Sequence, residues 1–178
     1  MNKFLKISFL LLLLAIPVGL VLFLRFFGEN QFDIPVYYEG GVADEISDCR
    51  LKEGNFTVPD SLVAPKGVTL VIFFQHNAAF GAMELNNQVR RLRELFGKEM
   101  SDVIVYSSEQ VTLKDGVVRN NGQEQLEKIM VCGFITKDYN QYVLVDKKKQ
   151  IRGYYGVELD EVDRLIVEMK ILFENGGS

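Results

Sequence analysis

The side chains that most often carry metal or thiol chemistry are scarce in this sequence, whose 178 residues include one histidine, two cysteines and no tryptophan. A site built from several histidines is therefore excluded, and the two cysteines with the one histidine are a ligand short of a closed structural zinc site. A metalloprotease motif with paired histidines is excluded for the same reason. Any catalytic triad would have to work through His76.

Basic residues are fewer than acidic ones, 20 against 24, and the net charge is −4 at pH 7. An acidic surface repels phosphate, so we expect no nucleic-acid partner. The deficit is uneven, because residues 1–28 carry Lys3, Lys6 and Arg25 and no acidic residue, which leaves −7 on the remainder. A basic, apolar N-terminus thus precedes an acidic body.

Charge is missing altogether from Ile7 to Leu24, a run of 18 mostly apolar residues. This length is close to the minimum that crosses a hydrocarbon core of about 30 Å, and Pro17 is tolerated in spanning helices. The alternative is a cleaved signal peptide, but its apolar region is usually only about 7–15 residues long and ends at small residues, which are missing after Leu24. We therefore expect residues 1–28 to form an N-terminal membrane anchor.

The charges that flank the apolar run predict its orientation. Lys3 and Lys6 before the run outnumber Arg25 after it, which favours a cytoplasmic N-terminus. The expected location is therefore the inner, cytoplasmic membrane, crossed once, with the C-terminal domain exported to the periplasmic side.

Beyond the anchor, the pattern predicts an extended linker over residues 29–45 and one folded domain over residues 46–178. Val68–Phe74 is an unbroken apolar run, typical of a strand buried on both faces. The other expected elements are a helix Met83–Phe96, a strand Val103–Ser107, a turn Lys114–Gly116 between Val111–Leu113 and Val117–Val118, a helix Gln123–Met130, a hairpin of Gln141–Asp146 and Gln150–Tyr155, and a helix capped by Asp160. This order predicts a thioredoxin-like α/β sandwich.

In a thioredoxin-like fold, redox or metal chemistry lies where the first central strand meets the following helix, because the helix N-terminus stabilises a thiolate. Here that connection is residues 75–82, QHNAAFGA, and it contains no cysteine. A Cys-x-x-Cys pair at this place is therefore excluded.

Three stretches of the chain carry a resemblance to a known family. They are Phe73-Phe74, followed after two residues by a five-residue stretch and a helix with Gln88, Arg90 and Arg91; Tyr142–Asp146 with Ile151–Tyr155; and the closing helix around Glu161–Ile166. Together with the anchor, they resemble the Sco/SenC family, membrane-anchored thioredoxin-fold proteins associated with copper-centre assembly in cytochrome oxidase. The resemblance covers the anchor and roughly residues 45–173, and it implies a protein partner in respiratory-complex assembly.

The same resemblance places the family's three copper ligands at positions where this sequence has other residues. The two cysteines of the family's five-residue motif fall on Asn77 and Gly81, and its histidine, a short distance before the late strand, falls on Asp138. Cu(I) prefers thiolate, thioether or imidazole ligands. The resemblance therefore implies a degenerate member without the family's copper or any other cofactor, in which His76 and Met83 are weak candidate ligands.

Cys49 and Cys132 are the two thiols of the chain. In an exported domain such a pair forms either a structural disulfide or two unrelated buried thiols, and both possibilities stay open at this point.

These features predict a non-redox binding or assembly module linked to cytochrome oxidase biogenesis, with no catalytic residue. Two alternatives remain. One is a thiol–disulfide oxidoreductase that uses Cys49 and Cys132, and the other is a structural interaction protein unrelated to copper.

Overall fold

The computed structural model describes residues 3–27, 33–42, 49, 54–64, 66–97 and 99–176. The chain divides into two compact units, Met1–Phe32 and Asp33–Ser178. Of the predicted linker, residues 29–32 and 43–45 lie outside the described residues.

In the first unit, the described residues form the helix α1 (Lys3–Phe27). Its side chains are described at Phe9 and over residues 12–23, and the large apolar ones among them are exposed. Across the part of the chain that the structure describes, no helix is both long enough and apolar enough to cross a membrane.

The second unit is built on a five-stranded sheet with the strand order β3-β2-β1-β4-β5. The strands are β1 (Val68–Phe73), β2 (Met100–Ser107), β3 (Val117–Asn120), β4 (Gln141–Val145) and β5 (Ile151–Gly156). β1, β2 and β3 run parallel, whereas β4 is antiparallel to β1 and β5 is antiparallel to β4. Every residue of β1 is buried, as its unbroken apolar sequence predicts for a central strand.

Helices cover both faces of this sheet. They are α2 (Ala82–Phe96), which follows β1; α3 (Gln123–Lys128), which continues into a π-helical turn (Ile129–Gly133); and α4 (Leu159–Glu174), which follows β5. In α2, Leu85, Val89 and Leu92 recur at helical spacing and form the buried face.

Two apolar layers lie on the two sides of the sheet. One is formed with α2 and α4 and takes Leu70 and Ile72 from β1. The other takes Val71 and Phe73 and is closed by α3, the π-helical turn and residues 56–63. Successive residues of a strand point to opposite faces, so β1 contributes to both layers.

The strands β2-β1-β4-β5, with α2 between the parallel pair and α3 before the antiparallel pair, form a thioredoxin-like α/β fold. The α/β, thioredoxin-like part of the predicted fold class is confirmed. β3 is an additional strand at the edge of this arrangement.

The turn predicted at Lys114–Gly116 is present as a series of bends, and the strand that follows it does not pair with the residues before it. Val117–Asn120 pairs in parallel with β2 instead of turning back on Val111–Leu113. Val111 and Leu113 are partly buried against the layer that contains α2, so their apolar side chains serve packing and not strand pairing. Gly116 permits this path, because a Cβ there would come within 2.7 Å of the Val103 carbonyl oxygen.

Two helix boundaries also differ from the prediction. α4 begins at Leu159 with Glu158 as its N-cap residue, so Asp160 lies in the first turn and does not cap the helix. There its negative charge still interacts favourably with the helix dipole. The helix predicted to end at Met130 changes to π-helical hydrogen bonding at Ile129.

Part of the segment assigned to a linker packs on the folded domain. Residues 33–42 lie in the second unit. Ile34 is buried in the layer with α2 and α4, and the Tyr37 N–H donates to the Ile151 carbonyl at 2.8 Å. This contact satisfies a backbone group of the edge strand β5, which would otherwise be open to pairing.

Candidate functional site

The loop between β1 and α2, residues 74–81, occupies the place where thioredoxin-like folds carry their chemistry. Its start is fixed by Asn140, which precedes β4. The Asn140 N–H donates to the Phe73 carbonyl at 2.6 Å, and its side-chain oxygen accepts from the Gln75 N–H at 3.0 Å. Asn140 has a φ of +53°, a left-handed conformation that asparagine tolerates better than most residues.

Asn77 closes this loop on itself. Its side-chain oxygen accepts hydrogen bonds from the N–H groups of Ala79 at 2.9 Å and Phe80 at 2.6 Å, and its own N–H donates to the Phe80 carbonyl at 3.1 Å. The ring of Phe80 is buried against Phe74, with 5.9 Å between the ring centroids. The amide oxygen of Asn77 therefore already serves two backbone donors.

Two side chains lie beside Gly81, at the N-terminus of α2. The Gly81 N–H donates to Glu84 Oε2 at 3.2 Å. A Cβ on Gly81 would lie 3.1 Å from that carboxylate oxygen and 3.3 Å from Cε1 of His76. A carboxylate thus caps the helix end at which a thioredoxin-like enzyme would hold a thiolate.

His76 is exposed, and its backbone is tied to the loop after β2. Its N–H donates to Glu109 Oε2 at 3.3 Å. The Glu109 N–H donates in turn to the hydroxyl of Ser107, which is buried at the end of β2. These contacts set the position of the backbone that carries the imidazole.

Asp138 and Met83, the other two positions named from the sequence, do not add a metal ligand to this loop. Asp138 is exposed, and its N–H donates to the Thr136 hydroxyl at 3.2 Å. Met83 lies in the first turn of α2 with 70% of its surface exposed. Among the residues that the structure describes, no three His, Cys, Asp or Glu side chains are grouped so as to hold a metal ion.

A copper ion does not fit the three positions that the family resemblance singles out. Gly81 has no donor, the oxygen of Asn77 is engaged by two N–H groups, and Asp138 offers a hard carboxylate. None of them provides the thiolate, thioether or imidazole that Cu(I) prefers.

Glu84, Glu109 and Asn140 are part of the loop's structure and were not predicted. Glu84 has a signal in the sequence, because a Glu three residues after an N-cap position is typical of helix starts. Glu109 and Asn140 have no such signal, since they reach the loop from positions 33 and 65 residues away along the chain.

Cys49 and Cys132 form a disulfide with their Cα atoms 5.3 Å apart. Cys132 lies in the π-helical turn, and Cys49 is buried. The bond therefore ties the early part of the domain to the helix before β4, and neither cysteine belongs to the loop 74–81.

The residues of the late hairpin have structural contacts. Asp146 is completely buried and accepts from the N–H groups of Lys148 at 2.8 Å and Gln150 at 2.9 Å. Its other oxygen pairs with the Arg152 guanidinium at 3.1 Å, and Arg152 also donates to the Ile34 carbonyl at 2.5 Å. Asp146 thus orders the β4–β5 turn, and Arg152 attaches the segment around Ile34 to β5.

Tyr142 links β4 to α2. Its hydroxyl donates to Gln88 Oε1, and the amide of Gln88 donates to the Val157 carbonyl at 2.8 Å. Burial raises the pKa of Tyr142 above its ordinary value, so the hydroxyl stays protonated as a donor.

The domain is thus thioredoxin-like. In the loop between β1 and α2, the Asn77 amide and the Glu84 carboxylate accept backbone hydrogen bonds. No family model matches the sequence, and no curated protein is significantly similar to it.

Solved structures similar to the chain include members of the Sco family. One is a SCO1/SenC family lipoprotein from Bacillus anthracis, with a TM-score of 0.46 and 12% identity, covering 61% of this chain and 83% of that chain. Another is BsSco, a member of the Sco family of cytochrome c oxidase assembly proteins, with a TM-score of 0.45 and 13% identity over 65% of this chain and 89% of that chain.

A protein named as the thiol:disulfide interchange protein DsbE from Chlorobium tepidum is similar as well. Its TM-score is 0.46 and its identity 12%, covering 65% of this chain and 90% of that chain. Similarity at this level assigns no activity to the chain.

Proposed function

We propose that this chain is a membrane-anchored, Sco/SenC-like thioredoxin-fold protein that acts as a non-redox binding or assembly module in cytochrome oxidase biogenesis. In this proposal the family's copper and redox site is lost. The domain then works through contacts with a protein partner on the exported face of the inner membrane.

The observation that carries the proposal is the structural use of the loop 74–81. The side-chain oxygen of Asn77 accepts two backbone hydrogen bonds, and Glu84 and His76 lie beside Gly81. Neither Asn77 nor Gly81 offers a thiolate, which supports a domain that works without the family's chemistry.

The anchor, residues 1–28, is supported by the uncharged run Ile7–Leu24. Its 18 residues are close to the minimum that crosses a hydrocarbon core of about 30 Å.

Extraction of membranes with alkaline carbonate tests the anchor. The full chain is expected to stay with the membrane pellet, and the variant Leu13→Lys/Val18→Lys to be released, because each charge at the centre of a span costs about 2.5–3.5 kcal/mol. Release of the wild-type chain would contradict the anchor.

Export of the domain is supported by the disulfide as well as by Lys3 and Lys6. Disulfides persist in oxidising compartments and are rare in the cytoplasm, and Cys49 and Cys132 are joined. A protease added to intact spheroplasts reaches only the outer face of the membrane. It is therefore expected to digest the domain. Full protection would contradict export.

The link to cytochrome oxidase rests on the sequence resemblance of Phe73-Phe74 and of the late hairpin. The test is affinity purification of the tagged full chain from native membranes, with a tagged chain in which only residues 1–28 are kept as the control. Oxidase subunits are expected with the full chain and not with the control. Equal recovery from both, or none from either, would contradict the link.

The disulfide favours one second candidate, a thiol–disulfide oxidoreductase that uses Cys49 and Cys132. Such an enzyme would reduce insulin in the presence of a dithiol, and Cys49→Ser would abolish this activity. Insulin reduction no faster than with the dithiol alone would exclude this candidate.

A further inference from the structure

One continuous stretch of chain joins the disulfide to the loop between β1 and α2. Cys132 lies in the π-helical turn, and residues 134–140 lead from this turn to the start of β4. At the end of the stretch, the Asn140 N–H donates to the Phe73 carbonyl, and its side-chain oxygen accepts from the Gln75 N–H. The backbone that carries Cys132 is therefore connected to the backbone of the loop.

Two features of this stretch are unfavourable when taken alone. A π-helical turn holds one residue more than the same turn of an α-helix, and such turns are rare outside functional sites. Ile135, just after the turn, has a φ of +51°, a left-handed conformation that strains a β-branched residue. Conformations of this kind persist only where the surrounding structure imposes them.

The contacts that impose this conformation are of two kinds. Some are hydrogen bonds, from the Thr136 N–H to the Met130 carbonyl at 3.1 Å and from the Tyr154 hydroxyl to the Phe134 carbonyl at 2.7 Å. The other contact is the covalent bond to Cys49. A thiol reagent removes the covalent contact and leaves the hydrogen-bonding groups chemically intact.

The two sulfur-bearing residues differ in exposure. Cys49 is buried, with 8% of its surface exposed, whereas Cys132 is partly exposed. Thiol–disulfide exchange requires access to the sulfur that is attacked. Cys132 is therefore the residue at which an external thiolate enters, and Cys49 provides the leaving sulfur.

We propose that the Cys49–Cys132 bond is a redox switch for the loop between β1 and α2. When the bond is opened, the π-helical turn relaxes to α-helical hydrogen bonding, and the residues after it shift relative to β1. Asn140 then releases the Gln75 N–H, and the start of the loop becomes mobile. The proposed function makes no use of this device, in which the bond regulates the loop and catalyses nothing.

The co-reactant is a dithiol. Its first thiolate attacks Sγ of Cys132, the bond between the two chain sulfurs breaks, and Cys49 leaves as a thiolate and is protonated. The second thiol of the reductant then displaces Cys132 from the mixed disulfide. The chain gains two electrons and two protons, and the dithiol becomes a disulfide. Exchange with an external disulfide runs the same steps in reverse.

NMR of the isotope-labelled full chain in detergent, before and after addition of dithiothreitol, tests the switch. Reduction is expected to move the carbon shifts of residues 129–133 towards α-helical values. It should also change the amide shift of Gln75 and speed its hydrogen exchange about tenfold or more, because the bond to Asn140 is lost. A bond that only adds global stability would leave the Gln75 shift unchanged, and this result would overturn the proposal.

The variant Cys49→Ser/Cys132→Ser is the control for the reagent. Its Gln75 amide is expected to have the signal of the reduced wild type and to ignore dithiothreitol. A Gln75 signal in this variant that matches the oxidised wild type would overturn the proposal.

Asn140→Ala tests the route from the disulfide to the loop. In this variant the Gln75 amide should exchange rapidly in both redox states, while the signals of residues 129–133 still respond to reduction. Asn120→Ala, at the exposed end of β3, is the matched control and keeps the full response. A Gln75 response that survives in Asn140→Ala would overturn the route. These measurements need no partner, so their outcome is independent of the oxidase link.

Discussion

At the scale of single residues, the loop between β1 and α2 is held by side chains whose polar atoms are already in use. Asn77 serves two backbone N–H groups, and Glu84 serves the N–H of Gly81. Both side chains are short enough to satisfy backbone donors close to them in sequence. The polar atoms of Asn77 and Glu84 in this loop are thus engaged in local hydrogen bonds.

Asn77→Ala tests the role of the amide. The variant leaves two backbone donors without their acceptor, and water can replace it at the exposed Ala79 N–H, so we expect the free energy of unfolding to fall by about 1 kcal/mol. Urea unfolding of the full chain in detergent, followed by the near-ultraviolet circular dichroism of its tyrosines, measures this change. Asn87→Ala, at an exposed site of α2, is the control and should change little. Equal effects of the two variants would contradict the role given to Asn77.

Tyr142 makes the stability of the domain depend on pH in alkaline solution. Burial raises its pKa above the ordinary value of about 10, so the unfolded chain releases this proton at a lower pH than the folded chain. The contribution to stability is fully present below pH 10 and is lost as the pH rises towards the folded-state pKa.

The variant Tyr142→Phe removes this titration. Above pH 10, its free energy of unfolding should fall less steeply with pH than that of the wild type, by up to about 1.4 kcal/mol per pH unit. Urea unfolding at a series of pH values makes the comparison, and the values near pH 7 correct for the lost bond to Gln88. Parallel curves for the two proteins would show that Tyr142 does not titrate as described.

At the scale of secondary-structure elements, the β4–β5 hairpin depends on a buried charge pair. Asp146 and Arg152 are both nearly inaccessible, and Arg152 Nε has no hydrogen-bond partner in the described structure. Removing one partner of such a pair leaves an unpaired buried charge, which typically costs 3–5 kcal/mol, whereas removing both costs much less than the sum.

A double-mutant cycle on the hairpin tests this dependence. Asp146→Ala and Arg152→Met should each destabilise the domain by about 3–5 kcal/mol, and the double variant by clearly less than their sum. Chemical unfolding of the four proteins gives the coupling. Additive losses would mean that the two residues act independently.

The elements also show which parts of the fold the sequence could predict. Strands β1, β4 and β5 and helix α2 were placed to within a few residues, because their apolar periodicity decides their structure. The pairing of β3 was not predicted, since Val117 and Val118 join β2 through contacts distant in sequence while Val111 and Leu113 pack on the core. The π-helical turn and the contacts of Glu109 and Asn140 depend on tertiary structure in the same way.

At the scale of the whole molecule, the disulfide connects two distant parts of the domain. It closes a loop of 83 residues, and the loop-entropy model assigns such a bond about 4 kcal/mol of stability. The segment from 54 to 64 has further contacts of its own, such as the bond from the Tyr106 hydroxyl to the Leu62 carbonyl at 2.8 Å. The fold should therefore survive reduction in a weakened form.

The variant Cys49→Ser/Cys132→Ser tests this expectation. It should keep the circular dichroism spectrum of the wild type and unfold with a free energy lower by up to about 4 kcal/mol. A dithiol should lower the stability of the wild type by the same amount and leave the variant unchanged. A variant as stable as the oxidised wild type would contradict the structural role of the bond.

The central claim is that this thioredoxin-like domain works without the copper and thiol chemistry of the proteins it resembles. A competition titration of the full chain in detergent against a chromogenic Cu(I) chelator tests it directly, with His76→Ala/Met83→Ala as the matched control. The account predicts that the wild type takes no more copper from the chelator than the control does. Tight uptake of one Cu(I) per chain, lost in the control, would contradict it.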